Sequence, residues 1–165
     1  MSAKKAINLF TIGFTQKSAE QFFDTLMKAG VRRVIDTRLN NVSQLAGFAK
    51  RKDLEYFLRT IGNIEYVHIL DLAPTQDILD DYKKKKGDWD VYEQKFLELM
   101  GDRQIEHKVS SDILDGGCLL CSEPKPHNCH RRLVAEYLSE KWKNVTINHL
   151  WFIKQIRSLW DEFKI

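Results

Sequence analysis

The strongest constraint in this chain is an alternation. Five short aliphatic runs, "INLFTIGF" (7–14), "RRVIDTR" (32–38), "IEYVHIL" (64–70), "GGCLLCS" (116–122) and "VTINHL" (145–150), are separated by amphipathic stretches. A run that is apolar at successive positions, rather than at every second one, belongs to a strand covered on both faces. Strands of that kind, each followed by a helix-forming stretch, build a parallel sheet between two layers of helices. The sequence therefore predicts an α/β fold: a three-layer sandwich with a mostly parallel sheet of about five strands flanked by helices, formed as a single domain over 1–165.

The helical stretches carry their own punctuation. In "SAEQFFDTLMKAG" (18–30), Ser18 is placed to cap, Gln21 completes a capping box and Gly30 ends the helix. Phe22, Leu26 and Ala29 fall on one face. "KRKDLEYFLRTIG" (50–62) is a second helix with a glycine stop, followed by "TQDILDDYKKKKG" (75–87), "DWDVYEQKFLELM" (88–100) and "HNCHRRLVAEYLSEKW" (127–142). In 88–100, Trp89, Tyr92, Phe96, Leu97 and Met100 share a stripe. "WFIKQIRSLWDEF" (151–163) is expected to close the chain as an amphipathic helix.

Composition excludes several classes. With 43% hydrophobic and 30% charged residues, extended disorder is not expected. No run approaches the roughly 20 apolar residues of a membrane span, so no membrane partner is expected. The N-terminus lacks the apolar region of a secretory signal. Three cysteines, an odd number, do not make a disulfide framework, and a cytoplasmic setting is expected. The net charge of +3 is modest. Its clusters ("VRRV", 50–52, 83–86 and Arg131–Arg132) read either as solvated helix ends or as contacts for a phosphate-bearing partner.

In open parallel sheets, ligands bind beyond the carboxyl ends of the strands. That rule gathers Thr11, Gly13, Phe14 and Thr15 from the first strand end, Asp36, Thr37 and Arg38 from the second, His68 and Asp71 from the third, and Cys121, Ser122 and Glu123 from the fourth. Asp36 and Arg38, two apart, face the same side of a strand. They make either a structural ion pair or an anion-binding arginine, with Asp36 orienting it or acting as a base. The turn "TIGFT" could present amides to an anion at the helix start that follows, or be a turn and nothing more. It lacks the GxGxxG and P-loop patterns.

The densest stretch is "LLCSEPKPHNCHRRLVAEYL" (119–138). Cys118 and Cys121 form a C-x-x-C inside a strand, where residues three apart face opposite sides, so a redox pair is not expected. Cys121 stands at a strand end before a helix start, a place that favours a thiolate, with His130 or Arg131 to stabilise it as a nucleophile. His127 stands where a cysteine phosphatase would carry its arginine. Cys121, Cys129 and His130 are a metal-ligand alternative, but C-x7-C-H matches none of the usual zinc spacings, and no metal or other cofactor is expected. The remaining reading is an anion or sugar pocket made from Glu123, His130, Arg131 and Arg38 with the cysteines beneath. Glu123 would then be a general acid/base and the arginines would bind the anion.

The blocks "TIGFTQKSAEQFFDTL", "VIDTR", "LEYFLRTIGNIEYVHI", "WDVYEQKFLELM" and "GCLLCSEPKPHNCHRRLVAEYL…VTINHL" together resemble domain-of-unknown-function family 488 (DUF488) over about residues 8–150. The resemblance implies the α/β fold and one shared site. The residues it carries over are Gly13, Asp36, Arg38, Cys121, Glu123, Cys129, His130 and Arg131. The chain departs from the family pattern at Phe14 and Thr15, at Gln44 and in "DLAPT", as a diverged member would. The expected function is that of a small enzyme, a hydrolase or transferase. Asp36, Cys121, Glu123 and His130 would be its catalytic residues. Thr11, Gly13, Thr15, Arg38, Cys129 and Arg131 would bind a small anionic or nucleotide-like ligand. The alternatives are a non-catalytic module that binds nucleic acid, or a metal-binding protein that uses Cys121, Cys129 and His130.

Overall fold

The computed structural model describes residues 3–42 and 46–151. Its centre is a five-stranded sheet in the order β3-β2-β4-β1-β5, with β1 Ile7–Gly13, β2 Arg33–Asp36, β3 Glu65–His68, β4 Gly117–Cys121 and β5 Val145–Leu150. Every pairing is parallel, with Gly13 beside Cys121 and Asp36 beside Leu120, so the carboxyl ends lie along one edge. This is the parallel, helix-flanked sheet that the alternation predicts. Among the described residues, no helix is long and apolar enough to cross a membrane.

Helices cover both faces. α1 (Ala19–Ala29) and α2 (Arg51–Gly62) pack Phe22, Phe23, Leu26, Leu54 and Leu58 against Ile12, Val34, Cys118 and Leu120. α4 (Trp89–Arg103) and α7 (His130–Trp142) pack Tyr92, Phe96, Met100, Leu133, Val134 and Leu138 against Leu9, Ile35 and Leu119 on the other face. β4 alternates between the two cores, which is why it reads as an unbroken apolar run. Cys118 is fully buried and faces away from Cys121, as the strand period requires. Ser18 and Gln21 form the expected capping box, and Gly30 takes the left-handed conformation after α1.

Three local expectations change. α2 does not stop at Gly62, which is its last helical residue; Asn63 takes the left-handed position instead. The helix expected over 75–87 is present as α3 (Gln76–Lys83), and between α4 and β4 the chain adds two single-turn helices, α5 (Ile105–Lys108) and α6 (Ser111–Leu114), too short to leave an amphipathic period in the sequence. α7 begins at His130, not 127, because its cap is Cys129. The helix expected over 151–163 and the departure at Gln44 lie outside the described residues, except for Trp151.

The topology decides where a ligand can enter. β1 and β2 lead through α1 and α2 toward one end of the sheet, whereas β4 leads through α7 to β5 at the other end. Neighbouring strands whose connections diverge leave a crevice at their carboxyl ends. That crevice lies above β2 and β4, where Thr37 and Arg38 meet Cys121.

Candidate active site

A cavity of about 160 Å³ opens at this edge. Of the ten expected site residues, Arg38, Cys121, Glu123, Cys129 and His130 line it. Thr11, Gly13, Thr15, Asp36 and Arg131 do not, and their surroundings explain why. The Thr11 hydroxyl is spent on His149 Nδ1 at 2.7 Å, and the Thr15 hydroxyl on the Ser122 carbonyl at 2.7 Å. Gly13 is needed for close approach: a β-carbon there would run into the Glu123 carbonyl. Gly13 and Thr15 seat the loop after β4 and Thr11 is tied to β5; none of the three lines the cavity.

Asp36 and Arg38 form the ion pair that their spacing allows. Arg38 donates through Nε and Nη2 to the two carboxylate oxygens, both at 2.9 Å, and through its backbone N–H at 3.1 Å. Tyr66 donates its hydroxyl to the same carboxylate at 2.6 Å. Burial first, and then the Asp36 charge, pushes the Tyr66 phenol well above its usual range. The Asp36 carboxylate is thus fully buried and saturated with donors, which removes it as a free base. Arg38 keeps one buried donor, Nη1, without a hydrogen-bond partner among the described residues.

The thiol cluster is built differently. Cys121 ends β4, and its Sγ lies 3.5 Å from Nδ1 of His130, the first residue of α7. The other ring nitrogen, Nε2, lies 2.8 Å from the Thr37 carbonyl oxygen and 3.0 Å from the Thr37 hydroxyl oxygen. That hydroxyl donates its own hydrogen to the Leu120 carbonyl at 2.8 Å, so toward the ring it can only accept. Two acceptors at Nε2 fix the proton there. Nδ1 is then left to take a proton from the thiol or to return one. Thr37 sets the tautomer, the role a third group plays in nucleophile–base pairs.

Electrostatics favour the ionised thiol. Burial pushes the Cys121 thiol up, but the Cys129 thiol, His130 and Arg131 together pull it well below the ordinary thiol range. Cys129 moves the other way, raised by burial and by the neighbouring Cys121 charge. Burial lowers His130, yet the Cys121 charge and hydrogen bond raise it above the usual imidazole value overall. α7 starts at His130 with Cys129 as its N-cap, so the positive end of the helix lies at this corner.

Arg131 supplies the counter-charge from beneath. It is fully buried, and its Nη1 donates to the Glu123 carbonyl at 2.8 Å. Its Nε and Nη2 have no hydrogen-bond partner among the described residues. Its charge also depresses nearby cations: Lys17 falls to about 8, first through burial and then through Arg131, and His149 falls for the same two reasons. Direct ligand contact, the role expected of Arg131, does not fit a side chain sealed below the cavity floor.

Glu123 sits at the rim. Its carboxylate pairs with Lys83 at 2.5 Å, both being partly exposed. The rest of the lysine run is partly neutralised along its own helix, Lys84 by Asp80 at 3.2 Å and Lys85 by Asp81 at 2.8 Å. The cavity wall is Tyr82, Trp89 and Tyr92, with Trp89 and Tyr92 stacked at 4.9 Å, and with Pro74 and Leu79 beside them. Thr37 was expected at this edge but without a role, and this aromatic wall was not among the expected site residues. The stripe of residues 88–100 was visible in sequence, but it reads equally well as core, and its inner part, Phe96 and Met100, is core.

Fold and cluster together define a small parallel α/β protein with a buried thiol–imidazole pair at the carboxyl edge of its sheet. The chain belongs to the family described as a domain of unknown function, DUF488, whose profile matches residues 18–138. The match leaves β1 and β5 outside. No curated protein and no solved structure matches the chain.

Proposed function

We propose that this chain is a small thiol-dependent enzyme, a hydrolase or transferase, acting on an anionic, nucleotide-like or nucleic-acid-derived ligand. The observation that carries the reading is the Cys121–His130 contact at the open edge of the sheet, with the imidazole proton fixed on Nε2 by Thr37. A thiolate held against an imidazole whose tautomer is set from behind is an activated nucleophile. The cavity is close in size to one that encloses a single benzene-sized ring, roughly 150 Å³. Its aromatic wall suits a planar group, and Arg38 and Lys83 suit the ligand's negative charge.

The chemistry balances in two steps. The Cys121 thiolate attacks an electrophilic carbon, forming a carbon–sulfur bond, while the bond to the leaving group breaks and His130 Nδ1 protonates that group. Water, or another acceptor, then loses a proton to Nδ1 and attacks the same carbon, returning Cys121 as thiolate. The net change is hydrolysis or transfer. Arg131 stabilises the thiolate from below. Alkylation by iodoacetamide, followed by mass spectrometry of the native protein, tests the centre. Cys121 should label ahead of Cys118 and Cys129, and His130→Ala should slow it. Labelling of Cys121 no faster than that of an unfolded control would sink the reading.

A further inference from the structure

The same corner has a second competence, which rests on the thiol reading because it uses the same thiolate. All three ligand atoms of Cys121, Cys129 and His130 lie within 4.8 Å of one another, and the three residues are buried. In a tetrahedral zinc site, bond lengths of about 2.3 Å to sulfur and 2.0–2.1 Å to nitrogen put a sulfur and a nitrogen ligand roughly 3.6 Å apart. The Cys121 Sγ to His130 Nδ1 distance is 3.5 Å. A thiol–imidazole hydrogen bond has a similar length, so this edge alone does not choose between the two.

Three further features do. First, the His130 ring donates its remote N–H to a backbone carbonyl, that of Thr37. Metal-bound histidines are held in this way, with the other nitrogen's lone pair turned to the ion. Second, Cys129 enters from the α7 cap and brings a second sulfur to the same point. Third, all three residues border the cavity, so a fourth coordination position would face a ligand instead of a fourth side chain. Two sulfurs and one imidazole with an open position is an arrangement known for catalytic zinc. Soft sulfur ligands select zinc or copper(I) over magnesium or calcium.

The spacing argument against a metal fails here for a structural reason. Zinc-finger spacings describe ligands on one tight turn. Here the seven-residue gap between Cys121 and Cys129 is a loop joining a strand end to a helix cap, and the fold closes it. Charge sets the occupant. Two thiolates offset a divalent ion, and Arg131 is left as the excess positive charge. An anion in the fourth position would balance it.

We propose that Cys121, Cys129 and His130 form a three-ligand site for a thiophilic divalent ion such as Zn2+, open to the cavity at its fourth position. Occupancy withdraws Cys121 from nucleophilic attack, so the ion regulates the thiol centre.

Two measurements on the full chain test this. Titration with Co2+ should give one ion per chain, with thiolate-to-cobalt charge-transfer absorption and the intense visible bands of a tetrahedral site. Zn2+ should displace it, and should slow iodoacetamide labelling of Cys121 by at least about tenfold until a chelator restores it. Cys129→Ser should weaken Zn2+ affinity by tenfold or more on the same scale. Unchanged Cys121 labelling in excess Zn2+, without cobalt–thiolate absorption, would overturn the site in the wild-type protein, where folding of a variant is not in question. So would a Cys129→Ser protein that binds Zn2+ as tightly as the wild type. If Cys121 labels rapidly and Zn2+ has no effect, the metal site fails and the thiol centre stands. If cobalt binds with thiolate absorption but metal-free Cys121 labels slowly, the metal site stands and the thiol enzyme fails.

Discussion

Two polar clusters share the carboxyl edge of this sheet, one residue apart in register, and they are finished to different degrees. In the set Asp36, Arg38 and Tyr66 the carboxylate accepts from every side, and Arg38 Nη1 alone has no partner among the described residues. Cys121, Cys129, His130 and Arg131 form an open set: a long thiol–imidazole contact, two sulfurs facing each other, and a sealed guanidinium with two idle donors. A buried polar group that is fully paired adds rigidity, whereas one left unpaired costs energy unless something else uses it. The first cluster holds the edge together, and the second is where chemistry is available. If that division is right, substitutions in the two clusters should affect different measurements.

The largest effect is expected at Asp36. Asp36→Ala would leave the Arg38 guanidinium buried without its partner, and breaking one side of a buried ion pair costs about 3–5 kcal/mol. The denaturant midpoint should fall accordingly. Under conditions where the variant stays folded, the Cys121 labelling rate should hardly move. A large change in labelling with little loss of stability would reverse the roles given to the two clusters.

Gly13→Ala comes next. Its β-carbon would displace the Glu123 carbonyl, the acceptor that holds Arg131. Overpacking of this kind costs typically about 1–3 kcal/mol. Because the displaced carbonyl belongs to the open cluster, the variant should lose stability and also slow Cys121 labelling. A Gly13→Ala protein as stable and as reactive as the wild type would show that the loop after β4 has more freedom than this packing allows.

The thiol itself should show in the pH dependence of labelling. An ordinary thiol has a pKa near 8.5, and its thiolate fraction falls roughly tenfold per pH unit below that value. Cys121 is held lower by Cys129, His130 and Arg131, with Tyr92 close by on the cavity wall. Its alkylation rate should stay level as pH drops through the ordinary thiol range, and should decline only below its own depressed value. In His130→Ala the decline should begin at higher pH, with a loss of roughly tenfold at neutral pH for each unit of upward shift. Identical profiles for the two proteins would remove His130 from the pair.

Much of this was legible in the sequence, and the gaps have physical causes. The five strands were visible because each is buried on both faces, and α1 because its capping box and Gly30 mark both ends. The edge rule brought Arg38, Cys121 and Glu123 to one place, and the strand-to-helix stretch 119–138 added Cys129 and His130. The same two readings also put forward Thr11, Gly13, Thr15, Asp36 and Arg131, none of which lines the cavity. Strand position says that a residue is near the edge, but not whether its polar atoms are already used by His149, Ser122 or Tyr66. Arg131 misled for a related reason: arginine at a helix start usually points to solvent, and only the third dimension shows it beneath the floor. Thr37 was placed at the edge but given no role, because its contribution to the ring is a backbone carbonyl as much as a hydroxyl, and backbone acceptors leave no mark in composition. The aromatic wall comes from α3 and α4, far along the chain, and a helical stripe does not say which of its members face a cavity.

The smallest expected effect concerns the rim and sharpens the ligand's charge. Lys83 and Glu123 are about half and two-fifths exposed, so their pairing should contribute no more than roughly 1 kcal/mol to stability. Their influence should appear instead in a ratio, because iodoacetate and iodoacetamide differ in charge but attack the same sulfur. In the wild type, Lys83 and Glu123 largely cancel at the mouth, and Arg38 with its idle Nη1 gives the interior a positive bias. Glu123→Gln removes the negative member and should raise the iodoacetate-to-iodoacetamide rate ratio at Cys121 by a few-fold; Lys83→Gln should lower it by a similar factor. Added salt should shrink both shifts, since exposed charges are screened over about 8–10 Å at physiological ionic strength. If neither substitution moves the ratio at low salt, the rim charges do not face the path to the thiol, and the anionic character assigned to the ligand would have to rest on Arg38 alone.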